Sequence, residues 1–447
     1  PAAAVVAPRA GAGVRRGPRR AMAEVRVDLS AIERSLLRMS NAPITTASFL
    51  DHRAAPERMP EVWRGVEARV AAVLLANPWL AGRIDAKAKQ LVYAPGPVAR
   101  SRVDRIFRIE VMAKVGMQTP YRELGAKLRA SGFLAGNAEP LWRVTLMPEA
   151  GTDGEQTRYV LIASMSHVVG DGHTYYRLLN MITGAAPVEA LSPERSEAVL
   201  AAVDRKVGHA LNSDPWFQLA GLWGILKGTL WNWRAALPAD GGSLVASWLG
   251  WLRVDPAKAS KVRMFYVDEE YVASEKAKAK EEGLVDYVST NDVITSWFLR
   301  GMDIGGMAVN LRGRVEGCGE DLAGNYESGI TFVGREDVEV PALVRKSLLN
   351  NRLRRVSDPE MPLAPHKPRK MPTRLAVFEK ILGICTNWSS FFLPPQLGDS
   401  ELLLHLPVYD LMRWPNLSLY HGMPVAIIFR ATAERTGVAV FGFPDVV

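Results

Sequence analysis

Apolar residues return every third or fourth position between Pro60 and Leu80 (Val62, Val66, Val70, Leu74), which predicts a helix ending at Asn77-Pro78. The chain then runs through Leu80-Ala81-Gly82-Arg83 into an extended stretch, Gln90 to Tyr93. Pro140 to Leu146 and Arg158 to Ser166 alternate as strands do, with a Gly- and Asp-bearing loop between them, so they are expected to pair. His167-Val168-Val169-Gly170-Asp171-Gly172 follows at once, and Tyr175, Leu178, Leu179 and Met181 then resume a helical rhythm. That segment therefore sits where a buried strand hands over to a helix.

The next pattern is unusual. Trp216, Leu219, Trp223, Leu226, Leu230, Trp233 and Leu237 recur at helical spacing, with Ser213 as N-cap, Pro215 in the first turn and Pro238 beyond the end. The opposite face offers Gly221, Gly224 and Gly228, which permit close approach of a helix or an acyl chain. The stretch is about long enough to cross a bilayer, but Lys227 near its middle favours a buried or interfacial helix. In the second half, strands are expected at Arg263 to Val267, Met307 to Leu311, Val425 to Arg430 and Val438 to Phe443. Helices are expected around Lys276 to Glu282 and from Asn291, and a basic loop is punctured by Pro359, Pro362, Pro365, Pro368 and Pro372. These patterns divide the chain into a tail (1–24), a first lobe (25–212), a Trp-rich crossover (213–256) and a second lobe (257–447).

Composition narrows the class. With 447 residues, 48% hydrophobic and 23% charged, the chain can bury two cores of ordinary size. A formal net charge of +8 favours anionic partners such as phosphate-bearing cofactors or lipid headgroups. No zinc-type Cys/His spacing and no aromatic-studded basic motif points to nucleic acid, and two cysteines are too few for a disulfide framework. No metal is expected, because the remaining histidines lack ligand spacing. Before Glu24 there is no acidic residue, while Arg9, Arg15, Arg16, Arg19 and Arg20 sit among small residues. That composition suits either a plastid or mitochondrial transit segment or a plain flexible tail, and otherwise a cytoplasmic or peripheral-membrane protein.

His167 is the candidate for chemistry. An imidazole titrates near neutrality, so at a strand end it can take a proton from a hydroxyl and return it to a leaving thiolate. Asp171, four positions on and flanked by Gly170 and Gly172, forms a tight turn whose carboxylate points back into the structure.

The segment resembles the His-x-x-x-Asp-Gly signature of the thioester-dependent acyltransferase superfamily, which includes chloramphenicol acetyltransferase, the plant BAHD enzymes, condensation domains and wax ester synthase/diacylglycerol acyltransferases. Asn77-Pro78-Trp79-Leu80-Ala81-Gly82-Arg83, Pro140-Leu141-Trp142, Asn291-Asp292-Val293 and Asn310-Leu311-Arg312-Gly313-Arg314 with Gly324-Asn325 resemble further family segments in the family's order. The resemblance spans about residues 40 to 430. It implies an α/β fold of two chloramphenicol acetyltransferase-like lobes, each a mixed sheet backed by helices, with a tunnel between them.

The resemblance also assigns roles. His167 matches the general base, and Asp171 a structural aspartate paired with an arginine, for which Arg312 is the candidate and Arg83 the alternative. Gly172 matches the glycine that keeps the donor path open, and Ser166 stands where several branches carry a second histidine, beside the substrate. Thr386-Asn387-Trp388 resembles a segment facing the histidine, so the Thr386 hydroxyl or the Asn387 amide is a candidate oxyanion donor; ordinary turn chemistry is the other reading. The BAHD Asp-Phe-Gly-Trp-Gly motif is replaced by Asn416 to Pro424, and the Trp-rich helix tilts the reading toward lipid handling, with Trp223 and Trp233 against the acyl chain. The implied reaction passes an acyl group from acyl-CoA, a co-substrate rather than a bound cofactor, to a hydroxyl of a lipophilic acceptor. The expected protein is a monomer that associates with membrane surfaces. The basic residues Arg345, Lys346, Arg352, Arg354, Arg355, Lys367, Arg369 and Lys370 would meet CoA phosphates, solvent or anionic lipid. Non-catalytic lipid- or pigment-binding scaffolding and carrier-dependent amide formation are the rival readings.

Overall fold

The structure is a computed structural model that describes residues 23–38, 43–53, 59–112, 114–132, 140–151, 157–207, 261–357, 381–409 and 424–442. The expected Trp-rich helix with Trp223 and Trp233, the proline-punctured loop with Lys367, Arg369 and Lys370, and the tail before Ala23 lie outside the described residues.

In chain order the first half contains β1 (Val25–Asp28), α1 (Ala31–Arg38), β2 (Ile44–His52), α2 (Met59–Ala76), β3 (Arg83–Asp85), β4 (Gln90–Tyr93), α3 (Arg100–Ile106), β5 (Phe107–Ile109), α4 (Tyr121–Gly132), β6 (Trp142–Pro148), β7 (Arg158–Met165), α5 (Gly172–Ile182) and α6 (Glu197–Val207). The second half contains β8 (Lys261–Tyr266), α7 (Glu269–Glu282), α8 (Thr290–Leu299), β9 (Ile304–Asn310), β10 (Glu327–Val333), α9 (Pro341–Leu348), β11 (Leu382–Asn387), β12 (Ser400–Pro407), β13 (Val425–Arg430) and β14 (Thr436–Gly442). Within the described residues the expected strands and helices recur near these bounds, the helix expected around Lys276 to Glu282 beginning earlier, at Glu269. β6 and β7 pair antiparallel as their alternation predicts, Trp142 opposite Met165.

Two mixed sheets carry the fold. The first runs β12-β2-β7-β6-β5 and the second β10-β9-β11-β13-β14-β8, with a small β1-β4-β3 sheet beside them. β12 departs from the expected split at residue 257. It comes from the second half of the chain yet pairs antiparallel with β2, covering what would otherwise be an open edge of the first sheet. A period-two pattern cannot reveal which sheet a strand will join.

The second sheet is buried on both faces. Ile304, Leu382, Val425, Ile427 and Phe429 pack into the apolar cluster that also holds the first sheet, α2 and α5. Their neighbours Met307, Cys385, Ala426 and Ile428 pack the other way, into a cluster with α8 and α9. Successive side chains of a strand point to opposite faces, so a strand buried on both reads as a continuous apolar run, as Val425 to Phe429 does. One face of this sheet therefore looks at the first half of the chain, and the site lies along that junction.

Candidate active site at the lobe junction

α5 begins where it does because Asp171 caps it. The residue is extended (φ −85°, ψ −175°), and its side chain accepts the Thr174 N–H at 2.9 Å. The same carboxylate accepts from Arg312 at 2.7 Å and from the Tyr326 N–H at 3.0 Å, tying the helix start to the second half of the chain. Arg312 is buried, and its N–H groups reach Asp171, Asn310, Thr174 and the carbonyls of Leu322 and Gly324. Burial pushes the Asp171 carboxyl up, but the Arg312 charge and hydrogen bond outweigh it and hold the group below its ordinary range. Arg83 takes no part here: it pairs with Glu24 at 2.6 Å, half in solvent.

Glycines let the loop close on itself. A Cβ on Gly170 would stand 2.8 Å from the Thr174 methyl, and one on Gly172 would stand 3.4 Å from the indole of Trp388. Gly172 thus brings the end of β11 against the histidine loop. Ser166, expected at the substrate, is instead buried, and its Oγ accepts the Val168 N–H at 3.4 Å.

The orientation of His167 follows from Asn325. The Asn325 amide nitrogen donates to the His167 carbonyl at 2.8 Å and to Glu33 at 3.3 Å, so its oxygen is the atom facing His167 Nδ1 at 3.1 Å. An amide oxygen only accepts, which in the neutral imidazole places the proton on Nδ1 and leaves the Nε2 lone pair free. Glu33, wholly buried, caps α1 through Ser30, accepts the Asn325 N–H at 3.1 Å and pairs with Arg195 at 2.9 Å. Arg195 in turn donates to the carbonyls of Ala323 and Val169.

Nε2 faces Glu327 Oε1 at 3.9 Å, with side-chain exposures of 27% and 30%. Burial pushes the Glu327 carboxyl above its usual range. On β10, Ile330 and Phe332 enter the helix-side cluster, so Glu327 and Gly329 face the junction, in register with Asn310 and Ala308. On β11, Cys385 joins that same cluster while Ile384 and Trp388 pack toward the first half, and alternation puts Thr386 on their face. The Asn387 oxygen accepts from the Ser389 N–H and hydroxyl, the turn chemistry that was its other reading. Of the pair, Thr386 is the one whose direction suits an oxyanion donor.

Glu33, Arg195 and Glu327 carry roles that the sequence reading did not assign, and Asn325 and Trp388 entered it only as parts of segments. The Ser30-to-Glu33 spacing is a legible capping box, but nothing local predicts that its carboxylate reaches Asn325 and Arg195. Among the basic residues read as meeting CoA phosphates, solvent or anionic lipid, Arg345 is committed to Asp292 and stacks 4.6 Å from the Tyr287 ring. Among the described residues there is no group of acidic, His and Cys side chains arranged to hold a metal. Nor, among them, is any helix long and apolar enough to cross a membrane.

No protein family's sequence profile matches the chain, and no curated protein does. Solved structures do resemble it. TRI101 of F. sporotrichioides, complexed with coenzyme A and T-2, is 11% identical at a TM-score of 0.54, covering 92% of this chain and 94% of its own. The first condensation domain of the calcium-dependent antibiotic synthetase, with a substrate analogue, is 13% identical at a TM-score of 0.54, covering 95% and 92%. Vinorine synthase is 13% identical at a TM-score of 0.53, covering 93% and 89%. The chain has the two-lobed, chloramphenicol acetyltransferase-like α/β fold of these proteins.

Proposed function

We propose that the protein transfers an acyl group from acyl-CoA to a hydroxyl of a lipophilic acceptor, with His167 as general base. The observation that carries this reading is the Asn325 contact, which in the neutral imidazole turns the Nε2 lone pair toward a partly open junction between the two sheets. Likeness in fold to TRI101 complexed with coenzyme A supports a CoA thioester as donor. The acceptor hydroxyl gives its proton to Nε2 as its oxygen attacks the thioester carbonyl. The Thr386 hydroxyl donates to the resulting oxyanion. Collapse expels the CoA thiolate, which takes the proton from His167, so no acyl-enzyme forms. Asp171 and Arg312 hold the loop, and Gly172, where a side chain would press on the Trp388 indole, is proposed to keep the donor path clear. Trp223 and Trp233 are proposed to line the acyl chain.

The test is mass spectrometry of products after incubation with acyl-CoA donors of increasing length and a panel of long-chain alcohols, diacylglycerol and hydroxylated pigments. Ester formation that disappears in His167→Ala is the expected result. Binding of acceptor without turnover of any pair would instead assign the fold a scaffolding role.

A further inference from the structure

Two proton acceptors share one gap in this site. The Nε2 lone pair of His167 and the Glu327 carboxylate stand 3.9 Å apart, and both side chains are partly open to the junction. Among the described residues none donates a hydrogen bond to the Glu327 carboxylate; Asn310, opposite it in register, accepts from Arg312 through its side-chain oxygen. A lone hydroxyl has one proton. Donated to Nε2, it leaves the carboxylate without a partner once the acceptor has displaced water. One oxygen touching both atoms at about 2.8 Å would also subtend only about 90° between them, narrower than hydrogen-bond directions favour. A second hydroxyl on the neighbouring carbon removes both difficulties: one oxygen meets Nε2, the other donates to Glu327, and the two lie side by side across the gap. The strand face beyond carries small residues, Ala308 and Gly329 in register with one another.

We propose, building on the acyl-transfer reading, that Glu327 selects acceptors in which the acylated hydroxyl is flanked by a second one: a 1,2-diol head on an apolar chain. Glu327 binds the hydroxyl that is not acylated, and His167 activates its neighbour.

The experiment compares dodecane-1,2-diol, dodecane-1,12-diol and dodecan-1-ol as acceptors for one acyl-CoA, in wild type, Glu327→Leu and Glu327→Gln. A hydrogen bond to a charged group leads us to expect about ten- to a hundred-fold higher kcat/KM for the 1,2-diol than for either other alcohol in wild type. In Glu327→Leu that ratio should fall to about one, with Glu327→Gln between, and thermal melting of each variant shows whether it folds. Equal kcat/KM for the three alcohols in wild type, or a preference that survives in both variants, overturns the proposal. If no alcohol is acylated, the transfer reading fails on its own. Calorimetric binding of the same alcohols then decides for Glu327: tighter binding of the 1,2-diol that depends on Glu327 sustains its role, and equal binding ends it.

Discussion

His405 and His167 set the same side chain in two regions and leave it with opposite capacities. His405 lies on β12 inside the first sheet's core, with Nδ1 at 2.8 Å from Ser48 Oγ, Nε2 at 3.0 Å from the Tyr176 hydroxyl and its ring stacked 4.1 Å from Phe392. Both nitrogens are taken, and burial pushes its pKa down to about 3. At the junction, His167 has one nitrogen held by Asn325 and the other aimed into a gap beside Glu327. Burial and hydrogen bonding alone do not mark a reactive histidine. On the proposed reading His167 differs in having an uncommitted nitrogen that is open to the junction, whereas the unpartnered nitrogens of His52 and His173 are buried.

The most severe way to break the comparison is His167→Ala, which should lower turnover by about a hundred- to ten-thousand-fold, the range for loss of a general base, with little change in melting temperature. His405→Ala should do the reverse, lowering the melting temperature first. Equal turnover in wild type and His167→Ala would leave the two histidines functionally alike. Asp171→Asn comes next. Arg312 would be left buried without its counter-charge, and breaking such a pair is destabilising by about 3–5 kcal/mol, which chemical denaturation measures directly. An unchanged denaturation midpoint with lost activity would move Asp171 from holding the loop to the chemistry.

These two effects fall on residues that the sequence made legible, and the reason is local. His167, Asp171 and Gly172 lie within one strand-to-helix turn, where spacing is set by a few backbone angles and a cap, so the pattern survives in the linear order. Arg312 was reachable only through the family resemblance, with Arg83 as the alternative, because ion pairing over 141 positions depends on how the sheets meet. Glu33, Arg195 and Glu327 are further removed still: each reads in sequence as an ordinary charged residue, and only packing turns it inward. β4, β6, β7, β8, β9, β13 and β14 were legible from period and apolar runs, whereas β2, β10, β11 and β12 were not read as strands, and the sheet that β12 joins could not be, since alternation fixes a strand's faces and not its neighbour.

Acidification separates the two histidines by a smaller amount. In the folded protein His405 stays neutral down to about pH 3, whereas in the unfolded chain it takes a proton below about pH 6.5. Between those limits the unfolded state binds more protons, so stability is full above about pH 6.5 and is lost as the pH falls toward 3. From pH 7 to pH 5 this one residue should remove about 2 kcal/mol. His173, whose pKa burial also lowers, adds to the same trend. The part owed to His405 is the difference between wild type and His405→Gln in urea denaturation at the two pH values. Parallel curves for the two proteins would show that His405 takes up its proton without unfolding the core.

The finest distinction is between the two nitrogens of His167 itself. Asn325→Ala removes the oxygen that accepts from Nδ1 and the amide that holds the His167 carbonyl, while Glu33 keeps its pair with Arg195. Without that acceptor the imidazole is free to place its proton on either nitrogen, and every molecule protonated on Nε2 is unable to take one from the acceptor. A hydrogen bond of this kind contributes about 1 kcal/mol net, so kcat should fall by about five- to tenfold while KM for acyl-CoA changes little. Nitrogen chemical shifts of labelled His167 give the readout that a general loosening of the loop would not produce: a single Nδ1-protonated form in wild type and a mixture of tautomers in the variant. If the variant keeps wild-type shifts and loses activity all the same, Asn325 acts by positioning the loop, and the tautomer is set by something other than its side chain.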